Sequence, residues 1–124
     1  MKRAVIRIRN GAKADDILAD MGEAFMAAWK SGKPADPVAT LTFTSPAQLF
    51  SVISPKRWEL IERLQKLGPS SMRGLARALG RDVKRVHEDV TLLVEWGIVA
   101  RDVNGKVLVP YDVIHADFDL RAVA

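Results

Sequence analysis

The fold turns on LARALGRDVKRVHEDVTLLVEWGIVAR, residues 75–101, and on NGKVLVP, residues 104–110. Met72, Leu75, Ala76 and Leu79 form the apolar face of a short helix that Gly80 ends. Asp82 stands at the N-cap of a longer helix over 83–96, closed by Gly97. At about 100° per residue, Val83, Val86, Val90, Leu93 and Val94 share one stripe of that second helix. Lys84, Glu88, Thr91 and Glu95 face away, with Arg85 and His87 flanking them on either side. Leu92 and Trp96 leave the stripe and need another surface, either an earlier helix or a second chain. Residues 98–103 read as a strand, Asn104-Gly105 as a two-residue hairpin turn, and 106–109 as the return strand stopped by Pro110.

Upstream, Ser54-Pro55 starts a helix by N-cap and first-turn proline, with Trp58, Ile61, Leu64 and Leu67 recurring on one face until Gly68-Pro69. Ser70 and Ser71 then stand ready to cap the short helix. The N-terminal part alternates: Ala4, Ile6 and Ile8 oppose Arg3, Arg7 and Arg9, a half-buried strand ended by Asn10-Gly11. Ile17, Leu18, Met21, Phe25, Ala28 and Trp29 lie on a helical stripe, with Gly32, Pro34 and Pro37 beyond it. Ala39, Leu41 and Phe43 alternate with threonines as a second strand. Ser45-Pro46 and Gln48 then open a short helix carrying Leu49, Phe50, Val52 and Ile53. The tail alternates again, with Ile114, Ala116, Phe118 and Leu120 on one face, and the two upstream strands are its natural partners.

The expected class is α+β. It comprises a β-α-β packing and dimerisation extension (1–53), a helical unit with a hairpin (54–110), and a C-terminal strand and tail (111–124). The chain has 124 residues, 48% apolar and 27% charged, enough for a real core. No apolar run nears the ~18–20 residues of a membrane span, and MKRAVIRIRN is too charged for a secretory signal. The absence of cysteine removes disulfides, thiol nucleophiles and zinc ribbons. The expected compartment is the cytoplasm, with no membrane partner. No phosphate-cradling glycine loop, carboxylate pair near a histidine or Ser–His pairing is visible, so neither an enzyme nor a cofactor is expected. His115 and Asp117 share a strand face without further ligands, and no metal site is assigned.

Charge is uneven. Lys/Arg outnumber Asp/Glu by seven to five over 1–53 and by eleven to seven over 54–110, and fall behind by one to three over 111–124. Arg73, Arg77, Arg81, Lys84 and Arg85 cluster around one turn against Asp82 alone, which suits a polyanionic partner. The skeleton L-A-x-x-L-G, V-x-x-x-V, L-x-x-x-G-I-V followed by NGKVLVP resembles the winged helix-turn-helix regulators of the MarR-like and ArsR-like kind. The ending VPYDVIHADFDLRA is similar to that of a smaller family of archaeal and bacterial winged-helix regulators, some encoded beside toxin-like genes and regarded as antitoxins. The short helix, tight turn, longer helix with outward cations and following hairpin place helix 83–96 in the major groove and hairpin 98–109 as wing. Leu92, Trp96 and the N-terminal extension suit a dimer. With the resemblance, the expected function is a sequence-specific, double-stranded-DNA-binding regulator, a repressor that acts on its own gene. The resemblance places Lys84, Arg85 and Glu88 where base-reading side chains project, and departs from the usual pattern in carrying Asp82 where Ser or Thr is common. Arg73, Arg81, His87 and Thr91, the serines Ser70 and Ser71, and Arg101, Asn104 and Lys106 of the hairpin complete the candidate DNA-binding set. The alternative is an antitoxin-like module that masks a toxin-like protein, with DNA binding secondary.

Overall fold

A computed structural model describes residues 2–8 and 38–119, which form a mixed α and β fold in keeping with the α+β class. Strands β1 (Arg3–Ile8) and β2 (Val38–Phe43) precede four helices: α1 (Pro46–Val52), α2 (Pro55–Leu67), α3 (Met72–Leu79) and α4 (Val83–Glu95). The short strands β3 (Ala100–Arg101) and β4 (Val107–Leu108) make a hairpin, and β5 (Val113–Ala116) follows. The helix expected around Ile17 to Trp29, the turn residues beside it and Leu120 lie outside the described residues.

β1, β2 and β5 form one parallel sheet in the order β2-β1-β5. The tail strand therefore pairs with one of its two expected partners, β1. Ile6 stands opposite Leu41 on one side and Ala116 on the other. Ala4, Ile6 and Phe43 are buried while Arg3, Arg7, Thr40 and Thr42 are exposed, the alternation that a period of two imposes. Parallel strands of one sheet cannot be joined by a tight turn. Residues 44–112, all four helices and the hairpin, are accordingly one long connection between opposite edges of the sheet. Its far end is tied back to β1: the Asp112 amide donates to the Lys2 carbonyl at 2.9 Å, and the Lys2 amide donates to Asp112 Oδ2 at 3.0 Å.

The caps behave largely as the residues dictate. Ser45 Oγ accepts from the Gln48 amide, and Ser71 Oγ accepts from the Gly74 amide, each at 3.0 Å. Gln48 Oε1 reaches back to the Thr44 amide and hydroxyl, one residue before the N-cap. Ser54 and Asp82 occupy N-cap positions without a side-chain cap bond, so the capping expected of the Asp82 carboxylate does not form. Gly80 ends α3 with φ of 65°, a left-handed conformation that costs a residue without Cβ least. The Gly80 amide donates to the Arg77 carbonyl and the Arg81 amide to the Ala76 carbonyl, satisfying two orphan carbonyls of α3. α4 closes by the same pair of bonds, from Gly97 to Val94 and from Ile98 to Leu93.

Val86, Val90 and Leu93 are fully buried and pack with Leu60, Leu64, Leu75, Ile98 and Val107, as well as with Ile6 and Phe43 of the sheet. Sheet and helices thus share one core. The Trp96 ring stacks on Phe43, with centroids 4.8 Å apart and planes at 15°. Leu92 also packs against the core. The surface that these two residues required is therefore in the same chain, for Trp96 on β2 and for Leu92 in the shared core, and they create no need for a second one. Two stripe residues depart from expectation. Val83 is 42% and Leu67 45% exposed, the first being the opening residue of α4 and the second the last of α2.

Replacing Phe43 by Ala removes both the stacked ring and a fully buried volume. It is expected to cost about 3–5 kcal/mol. Urea unfolding followed by tryptophan fluorescence and by far-ultraviolet dichroism should shift together, since sheet and helices unfold as one unit; separate transitions would contradict the shared core.

Candidate functional site

α3 and α4 are joined by a three-residue turn, and the β3–β4 hairpin follows α4 at once. Burial of Val86, Val90 and Leu93 sets the rotation of α4 and leaves its opposite side bare. Lys84, Arg85, His87 and Glu88 are all exposed there, and Thr91 is half-buried, its hydroxyl donating to the His87 carbonyl at 2.8 Å. Arg73 and Arg77 are exposed on α3. Among the described residues the side chains of Arg73, Lys84 and Arg85 make no ion pair. Lys84, Arg85 and Glu88 line an open cleft of about 440 Å³, together with Asp82 and with Lys56 from α2.

The structure gives Arg81 a different place from its neighbours in the basic cluster. Its Nη2 donates to Asp89 Oδ2 at 2.7 Å, while Arg57 Nε donates to Asp89 Oδ1 at 3.1 Å. Asp89 and both arginines are mostly covered, with side-chain exposures of 14, 19 and 24%. Arg57 Nη1 also donates to the carbonyls of Ser51 and Val52, at 3.2 and 2.9 Å, filling the acceptors left open at the end of α1. One carboxylate thus braces α2, the α3–α4 turn and α4. Arg81 is a strut of the turn rather than a free surface cation. Nothing in the sequence links Arg57 to Asp89, 32 residues apart; a polar residue near the edge of the α4 stripe was the available signal.

Ser70 and Ser71 serve local geometry. The Ser70 amide and carbonyl exchange bonds of 2.9 Å with Val107, so the entry to α3 is stitched to β4, and its hydroxyl donates to the Gly68 carbonyl. Ser71 is the cap of α3. The hairpin is built differently from the expected two-residue turn. Asp102 Oδ1 accepts from the amides of Asn104 and Lys106 at 2.9 and 3.0 Å, and the Gly105 amide donates to the Asp102 carbonyl. Only Gly105, with φ of 78°, is left-handed, so the turn is centred on Val103 and Asn104 and ends in a glycine bulge. A turn centred on Asn104-Gly105 would require positive φ at both, and Asn104 lacks it. The aspartate before the turn, which offers its carboxylate to three-residue loops, was the overlooked signal. The longer strands expected over 98–103 and 106–109 shrink to two residues each. Arg101, Asn104 and Lys106 are exposed around the tip, and Val103 stands wholly in solvent.

His115 Nε2 lies 3.4 Å from Asp117 Oδ2, both exposed, and no group of three His, Asp or Glu side chains among the described residues is placed to hold a metal. No helix among these residues is long and apolar enough to cross a membrane. What the α3–α4–hairpin surface offers chemically is a set of unpaired cations on a rigid scaffold, complementary to a polyanion.

A protein-family model described as HVO_A0114 matches residues 52–116, just over half of the chain. No curated protein matches the chain, and no solved structure does.

The brace makes a prediction about stability. Replacing Asp89 by Ala leaves two largely covered guanidinium groups without their carboxylate, and should cost about 1.5–3 kcal/mol, the range for hydrogen bonds to charged groups. A double-mutant cycle with Arg57→Ala should return a coupling above ~0.5 kcal/mol in urea unfolding. Additive effects would mean that the two side chains act independently.

Proposed function

This chain belongs to the HVO_A0114 family, and on that premise we propose that it is a winged helix-turn-helix protein that binds double-stranded DNA and regulates transcription. α4 is then the recognition helix, lying in the major groove, and the β3–β4 hairpin is the wing. The observation that carries this reading is the pair Lys84 and Arg85. Both are exposed and unpaired in the first turn of a helix whose other side buries Val86, Val90 and Leu93. The N-terminal residues of a recognition helix are those that meet base edges.

The roles divide by chemistry. Arg85 has the planar fork that reads guanine O6 and N7, and Lys84 reaches the same edge or a phosphate. Arg73 on α3 and Arg101 and Lys106 on the wing meet phosphates, which position the protein without reading sequence. Arg81 contributes by holding the turn that aims α4, since its guanidinium is engaged by Asp89.

Titration with the DNA upstream of its own gene, at fixed salt, tests the reading, with footprinting to locate the site. Arg85→Ala should lower affinity for that site by about ten-fold or more. Its thermal midpoint should stay close to that of the parent, because exposed substitutions usually change stability by less than ~0.5 kcal/mol. A folded Arg85→Ala protein with unchanged affinity would remove α4 as the reader.

The wing cations should behave otherwise. Lys106→Ala is expected to weaken specific and scrambled duplexes alike and to reduce the slope of log affinity against log salt by about one. A changed base preference with unaltered affinity for scrambled DNA would contradict the phosphate assignment.

A further inference from the structure

Two carboxylates, Asp82 and Glu88, stand exposed among the cations that line the α4 cleft. Asp82 has a local reason to be there. It occupies the N-cap of α4, where the unsatisfied amides favour negative charge. Glu88 has none. It lies in the second turn, beyond the reach of that effect, and among the described residues its side chain makes no hydrogen bond or ion pair. Lys84 precedes it by four residues, which is the less favourable order for a helical pair, and no bridge forms between them.

On a surface that meets phosphates, a central carboxylate opposes every duplex alike. Its presence gains something only where a base presents a hydrogen-bond donor to it. In the major groove the donors are the amino groups of cytosine and adenine. Adenine sets its N7 acceptor beside the amino group, and a carboxylate, which only accepts, is repelled there. Cytosine offers the amino donor with no acceptor on its own major-groove edge, its neighbour there being the C5–H. We propose, resting on the reading of α4 as the recognition helix, that Glu88 is a specificity-determining residue. It accepts from cytosine N4 in the major groove, and through its charge it weakens binding to duplexes that lack a cytosine at that position.

The test is selection from a duplex pool with a random centre, using the full chain as parent and as Glu88→Gln, followed by titration of the enriched and a scrambled duplex at one salt concentration. The parent should enrich a site with a cytosine that the variant replaces by adenine, because glutamine both donates and accepts and so suits adenine N6 and N7. The ratio of enriched to scrambled affinity should fall roughly ten-fold in the variant, with affinity for the scrambled duplex rising. Glu88→Ala should lose the cytosine preference without gaining one for adenine. Enrichment of the same cytosine by both variants, with the parent's ratio kept, would overturn the role of Glu88 and leave α4 as the reader. A parent that binds no duplex, or enriches no sequence, would overturn the reading of α4 itself and the role of Glu88 with it.

Discussion

Burial of three side chains, Val86, Val90 and Leu93, determines how α4 is rotated, and the candidate surface depends on that rotation. Each fully buried aliphatic side chain contributes about 1.5–3 kcal/mol relative to exposure, so turning the helix by half a turn is not a competitive alternative. What remains outward is then settled: Lys84, Arg85 and Glu88 have nowhere else to go. α3 abuts this stripe through Leu75 and Ala76, and the tight turn at Gly80 holds the two helices together.

Side-chain electrostatics refine this arrangement locally. The carboxylate of Asp89 gathers Arg57 and Arg81 and so links the end of α1, the first turn of α2, the α3–α4 turn and the middle of α4. A cation that looks available in the linear sequence is thereby converted into an internal tie. Charge counted along a chain overstates what a partner meets, because partly covered ion pairs withdraw some of it. Of the cations clustered around the α3–α4 turn, Arg73, Arg77, Lys84 and Arg85 stay free, whereas Arg81 does not.

Features that depend on near neighbours were legible in the sequence. The bounds of α3 and α4, the capping serines before α1 and α3, and the glycine stops at Gly80 and Gly97 all follow from contacts within a few residues. The alternation of β1 and β2 also announced itself, whereas the tail strand stops at Ala116 and leaves Ala116 and Phe118 of its expected apolar face exposed, although it does pair with β1. Long-range matters were not legible. Trp96 reads as surplus on a helical wheel, and only the sheet register brings Phe43 beneath it. Asp89 reads as an ordinary polar position until Arg57 and Arg81 converge on it. The turn of the hairpin was misplaced by one residue, because an Asn-Gly pair outweighs the carboxylate of Asp102 in a local reading, whereas the backbone follows the carboxylate. For the candidate site, the outward residues of α4 and the capping role of Ser71 came from local pattern, and the engagement of Arg81 by Asp89 and of Ser70 by Val107 required three dimensions.

The sheet carries a consequence for modularity. Residues 44–112 leave from one edge strand, β2, and return at the opposite one, β5, with β1 between them. The segment matched by the family model includes β5 but neither strand beside which β5 and Trp96 are seated. Transplanted without residues 2–8 and 38–43, the helices would carry away a stripped aromatic ring and a strand with unpaired amides, both invitations to self-association. The helical segment is therefore not a cassette that can be moved between proteins by itself. Its smallest transferable form includes the two strands that precede it, and any fusion or domain graft has to carry them along.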